Sequence, residues 1–171
     1  MQIAELDNDY KEVIEISLKL FFNHHYDFKY YHKAKKYASA EEWPTIVAEI
    51  LTLLNKPNHW KPYDAIAQIY FEEKELDKLL ELITSFASFE LLEKYENILN
   101  QHYPTELISL YERSIRKYLM DHVGRNYYVI ACKAIKRLKN ILPNKNVNNL
   151  VDELLQKYKQ RKALVELLKK F

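Results

Sequence analysis

The stretch PTELISLYERSIRKYLMDHVGRNYYVIACKAIKRLKNIL, Pro104 to Leu142, decides the fold. Pro104 has a fixed φ and no N–H, which suits the first turn of a helix, where that donor lacks a partner anyway. From it Ile108, Tyr111, Ile115, Tyr118, Leu119 and His122 recur at spacings of three and four, one buried stripe at period 3.6. Arg113, Arg116 and Lys117 fall on other faces. Gly124, the only glycine, can take the left-handed conformation that ends a helix, and Asn126 then caps the next one. That second helix buries Tyr127 or Tyr128, then Ala131, Ala134, Ile135, Leu138 and Leu142. It turns Lys133, Lys136, Arg137 and Lys139 outward. Small Ala131 and Ala134 admit a close partner, and the short connection makes the two arms antiparallel neighbours.

The same periodicity extends in both directions. Ala65, Ile66, Ile69 and Tyr70 predict a helix to about Glu73; Leu76, Leu79, Leu80, Ile83 and Phe86 predict another, with a tight link around Lys74. Ser88 caps a helix that buries Leu91, Leu92, Tyr95, Ile98 and Leu99. Nearer the start, a helix from Asn8 or Asp9 to about Asn23 buries Tyr10, Val13, Ile14, Leu18 and Phe21. A shorter one from Tyr26 to Ala38 sets Phe28, Tyr31, Ala34 and Ala38 on one side. Ser39 with Glu42 forms a capping box, and Pro44 shifts the helix start towards Trp43. Beyond Pro143, Asn144 to Asn146 read as a linker, and Val151, Leu154, Leu155 and Tyr158 as a stripe. Gln160 to Lys162 read as a break or a continuous turn, and Ala163, Leu164, Leu167 and Leu168 form the closing face.

Roughly eight to ten helices with short links predict a single all-α domain over residues 1–171. Its expected build is antiparallel helical hairpins stacked as an α-α superhelix of tetratricopeptide or HEAT type, with a globular bundle as the competing arrangement. Composition agrees: 48% hydrophobic residues supply a core, and one glycine and five prolines leave little turn chemistry for strands. Charge is lopsided. Residues 1–102 carry 11 Lys and Arg against 18 Asp and Glu, a balance of −7, while residues 103–171 carry 15 against 6, a balance of +9. The two halves can neutralise each other by packing, or the basic half can meet a polyanion.

The lone Cys132 excludes an internal disulfide and sits among apolar neighbours as a small hydrophobe. No run is long and apolar enough for a membrane span, and the beginning of the chain has no apolar signal region, so no membrane association is expected and the simplest location is the cytoplasm. Chemistry-bearing motifs are scarce. There is no H-E-x-x-H, no thiolate cage, no G-x-S-x-G elbow, and a single glycine cannot build a phosphate loop. No metal, cofactor or catalytic residue is expected.

Two surfaces remain as candidates. The first is the basic face of the Pro104–Leu142 hairpin: Arg113, Arg116, Lys117, Arg125, Lys133, Lys136, Arg137 and Lys139. The second interleaves Lys29, Lys33 and Lys36 with Tyr30 and Tyr37, a mixture that can contact phosphates and stack bases or can simply be a helix with an aromatic core side and lysines in water.

The strings YFEEKELDKLLELI, YPTELISLYERSIRKYL, GRNYYVIACKAIKRLKNI and LLQKYKQRKALVELLKKF resemble the C-terminal helical region of bacterial SWIM zinc-finger proteins, over roughly Trp43 to the last residue. The motif order P-x-E-L-x-x-x-Y, G-R-x-x-Y, R-x-A-L-x-x-x-L runs from Pro104 to Leu168. In that family the zinc element, C-x-C followed by C-x-H, lies upstream. One cysteine cannot build it, so the family's proposed zinc-dependent binding to DNA or protein carries over to no residue here. The resemblance implies an α-helical-repeat module, the C-terminal portion of a longer protein. The expected function is a non-catalytic scaffold that binds a protein partner or another region of its parent chain. The alternative is salt-sensitive nucleic-acid binding through the basic half.

Overall fold

The computed structural model describes residues 10–56, 61–86, 88–141 and 145–171. Among these it is all-helical, without strands: α1 (Tyr10–Asn23), α2 (Phe28–Tyr37), α3 (Trp43–Leu54), α4 (Tyr63–Glu72), α5 (Leu76–Phe86), α6 (Phe89–His102), α7 (Pro104–Asp121), α8 (Arg125–Ile141), α9 (Lys145–Lys157) and α10 (Lys162–Leu168). The expected start of α1 at Asn8 or Asp9, the expected burial of Leu142 and the Asn144 end of the expected linker lie outside the described residues. None of the described helices is long and apolar enough to cross a membrane. The chain divides into two compact units, Met1–Ile69 and Tyr70–Phe171.

In the first unit, α1 and α2 form an antiparallel hairpin around an aromatic centre. The Phe21 ring meets Phe28 at 5.6 Å and Tyr31 at 5.8 Å, and Tyr31 meets Trp43 of α3 at 5.1 Å. Phe21, Tyr31 and Val13 are fully buried. Tyr10, expected inside, is 49% exposed, because its ring lies on Tyr37 at the open end of the hairpin. The Ser39–Glu42 capping box forms as read: the Glu42 amide donates to the Ser39 hydroxyl oxygen at 3.2 Å and the Ser39 hydroxyl to the Glu42 carboxylate at 3.0 Å, one turn ahead of the Trp43 start.

The second unit is a series of antiparallel hairpins stacked side by side, the build of an α-α superhelix. Phe89 at the start of α6 meets Tyr118 near the end of α7 at 5.2 Å, and Tyr111 in mid-α7 bonds Glu96 in mid-α6, so the two helices run in opposite directions. α5 and α7, two apart in sequence, run parallel in one layer. Tyr103 and Arg113 reach Asp77 and Thr84 of α5 in ascending order, and Arg116 reaches Glu153 of α9. Between the layers α7 packs on α8, with Leu107, Leu110, Tyr111, Ser114, Ile115 and Leu119 of α7 and Tyr128, Ala131, Ala134, Ile135 and Leu138 of α8 all buried. Each large side chain buried here contributes about 1.5–3 kcal/mol.

The α7 stripe is broader than expected: Leu107, Leu110 and Ser114 are inside, while Ile108 and Tyr118 sit half-buried at its edge. A helix with neighbours on two sides buries more than one narrow stripe. Phe86, expected inside, is 46% exposed at the end of α5.

The turn at Gly124 also differs in detail. α7 already stops at Asp121, and Gly124, at φ +136°, stands just ahead of α8, where its carbonyl accepts the Tyr128 amide at 3.1 Å. Asn126 lies inside the first turn rather than capping it. The positive φ still requires glycine.

With glycine spent there, other helix ends use ordinary residues. Lys74 adopts φ +60°, and the Glu75 amide donates back to the Tyr70 carbonyl at 2.8 Å; His25, at φ +52°, precedes the matching bond from Tyr26 to Phe21 at 3.0 Å. Both are the six-to-one closure of a helix terminus, with a side chain where glycine has the smaller steric cost. Lys74→Gly is therefore expected to raise the free energy of unfolding by about 0.5–1 kcal/mol in a urea titration, and Lys74→Val to lower it. A glycine variant no more stable than the parent would show that the left-handed link is not held in solution.

Candidate interaction surface

The eight basic residues of α7 and α8 separate into two groups. The arginines are engaged. Arg116 grips Glu153 of α9 through Nε at 3.1 Å and a second guanidinium nitrogen at 2.8 Å, and also reaches Glu112 at 3.1 Å. Arg137 bridges Glu93 at 3.0 Å and Glu96 at 3.5 Å on α6, Arg125 pairs with Glu166 at 3.6 Å, and Arg113 donates to the Thr84 carbonyl at 2.8 Å in the last turn of α5. The planar fork of guanidinium suits such two-point contacts. These pairs hold helices that the stack places side by side.

Two further groups serve the same end. The Tyr111 ring is fully buried and its hydroxyl donates to Glu96 at 2.5 Å; burial, then the adjoining carboxylate, raises its pKa far above the ordinary phenol value. Arg161, in the stretch expected as a break or a continuous turn, donates to the Leu119 carbonyl at 2.6 Å and stacks on Tyr158 at 4.3 Å. It satisfies a carbonyl that the end of α7 leaves without a helical partner.

The lysines are disposed differently. Lys117, Lys133 and Lys136 make no hydrogen bond or ion pair among the described residues, and Lys139 reaches only the Phe171 carbonyl, at 3.1 Å. Lys133, Lys136 and Lys139 follow each other at i, i+3 and i+6 on α8, where like charges repel by about 0.2–0.5 kcal/mol per close pair. Lys170 of the closing segment joins them around one cavity of about 540 Å³ between α8 and α10. Its floor is apolar: Val129, Cys132, Leu167 and Phe171. From Val129 to Asn140 it follows α8 for about 16 Å, at 1.5 Å rise per residue. No Asp or Glu side chain lines it.

Cys132 is half-buried in this floor, and desolvation, slightly relieved by Lys170, pushes its thiol up to about 11. It is a neutral thiol near neutral pH and contributes apolar surface. Val129, 39% exposed, extends that surface outward.

The second candidate patch is spent largely on its own helix. Lys29 pairs with Asp27, the α2 cap, at 2.8 Å and lies over the Tyr30 ring; Lys36 lies over Tyr37, which packs on Tyr10. Lys33 is also engaged. Lysines here cover the aromatic rings instead of leaving them bare. A cavity of about 440 Å³ in the same unit has Ile14 and Ile46 with Glu15, Glu41, Glu42 and Lys11, charges of both signs. Among the described residues, no three His, Cys, Asp or Glu gather as a metal site.

Sequence reading reached Lys133, Lys136 and Lys139 but not their floor. The spacing of Val129, Cys132 and Lys136 marks one face of α8; Leu167 comes from α10 and Lys170 and Phe171 from the residues after it, which no local pattern connects to that face. Comparisons with protein-family models, with curated proteins and with solved structures give no match to this chain.

The Arg116 clasp has a pH signature. Its hydrogen bonds, followed by its charge, lower the Glu153 pKa below the ordinary carboxylate value. A carboxylate depressed in the folded state stabilises above its unfolded pKa, and that contribution disappears as pH falls through the folded value. Between about pH 5 and about pH 3 the parent is expected to lose roughly 0.5 kcal/mol more stability than Arg116→Met, the small size reflecting solvent screening. Urea midpoints across that range measure it; parallel pH profiles would contradict the clasp.

Proposed function

We propose that the protein is a non-catalytic helical-repeat scaffold that binds a protein partner, or another region of a longer parent chain, through the α8–α10 face. The observation that carries this reading is the division of the cations. Arginines are taken up in holding the stack, whereas lysines surround an apolar floor that no Asp or Glu side chain lines. Stacked hairpins offer broad surfaces suited to such contacts. The sequence supports the non-catalytic part, since one glycine and one cysteine deny it phosphate loops and thiolate metal cages.

The resemblance to the helical region of SWIM zinc-finger proteins fits a module that works beside other segments, with the zinc element supplied elsewhere. Nucleic acid is the competing ligand for a basic face. Phosphate contacts need available cations, and the arginines best suited to them are already paired.

A cross-linking capture from cells of origin, with the parent chain and with Lys133→Glu/Lys136→Glu as baits, tests the proposal. Proteins retained by the parent after nuclease treatment, and lost with the double variant, are the expected result. Retention abolished by nuclease, together with salt-sensitive binding of labelled RNA or DNA, would replace the protein reading with nucleic-acid binding.

A further inference from the structure

We propose that the occupant of the α8–α10 groove is an acidic amphipathic helix of the partner protein, laid along α8 with its apolar side on the floor and its carboxylates among the lysines. This rests on the protein-binding reading above and narrows it to one chemistry. The groove follows α8 for about three helical turns, from Val129 to Asn140. A helix presenting apolar residues at i, i+3 and i+7 sets them along about 10 Å, which fits within that length, and this is the usual way an amphipathic helix occupies a groove.

Charge selects the sign of the flanks. Lys133, Lys136, Lys139 and Lys170 surround the floor and no acidic residue lines it. A basic or neutral helix would leave Lys133, Lys136 and Lys170 without a counter-charge, while Glu or Asp residues on either side of an apolar stripe neutralise them. Lysine suits this task because its long stem lies along apolar surface while its ammonium group follows the partner's carboxylate. The floor also argues against nucleic acid: Phe171 is its single aromatic ring, too little for a stacking platform.

Cys132, the chain's one cysteine, lies in the floor and reports occupancy directly. The experiment uses the full chain and three synthetic helical peptides: one with leucines at i, i+3 and i+7 flanked by glutamates, one with the same leucines flanked by lysines, and one acidic but with serines replacing the leucines. Binding is measured by fluorescence anisotropy, and protection of Cys132 from maleimide is followed by mass spectrometry. The acidic leucine peptide is expected to bind and to slow Cys132 labelling at least fivefold, with the other two at least tenfold weaker. Lys133→Glu/Lys136→Glu and, separately, the exposed floor variant Val129→Asp should each weaken binding about tenfold, with unchanged circular dichroism confirming that they fold.

Equal binding of the lysine-flanked peptide overturns the proposal, as does stronger protection of Cys132 by laurate or by a single-stranded RNA. Failure of all three peptides overturns it too. If captured proteins still depend on Lys133 and Lys136 in that event, the scaffold reading survives and only the acidic-helix occupant falls.

Discussion

A hydroxyl buried with its whole ring organises the second unit: Tyr111, at the middle of α7, donates to Glu96 of α6, and Arg137 of α8 reaches the same carboxylate. Three helices meet at that carboxylate. An apolar interface between helices tolerates sliding by a turn, since leucine and isoleucine ridges repeat; a phenol that must find one acceptor does not. Arg116 repeats the device between α7 and α9, and Arg161 between the closing segment and the end of α7. Apolar burial supplies the driving force, and these polar contacts select the register.

That division of labour explains what the sequence makes legible. Helix existence follows from periodicity, and so do the capping box at Ser39, the start at Pro104 and the tight link at Lys74, because each depends on neighbours within a few residues. The exact buried face of α7 does not. Ile108 and Leu107 fit a period of 3.6 equally well, and the neighbours on both sides of α7 decide that Leu107 lies deeper. Tyr10 and Phe86 fail for a related reason: each sits at a helix end, where a stripe continues past the partner that would cover it. Gly124 marks the break correctly but serves the start of α8, since the strain it relieves lies after α7 has already ended.

The candidate surface is less legible than the fold. Arg116 and Glu153 are 37 residues apart, and nothing local distinguishes an arginine that will find a carboxylate from one left in water. The charge imbalance between the two halves of the chain is partly resolved inside the stack, as Arg137 takes Glu93 and Glu96 from the acidic side. What remains without an Asp or Glu partner is a lysine set, selected by exclusion: guanidinium groups pair across helices, and ammonium groups border the apolar floor of Val129, Cys132, Leu167 and Phe171. Fold and surface thus arise from a single allocation of cations.

The most direct measurement is a double-mutant cycle on Tyr111→Phe and Arg137→Met, read by urea denaturation. The two side chains are linked through Glu96, so the loss in the double variant should differ from the sum of the single losses by about 0.5–1 kcal/mol. Additivity within about 0.3 kcal/mol would contradict a shared network and remove the claim that these polar contacts set the register of the stack.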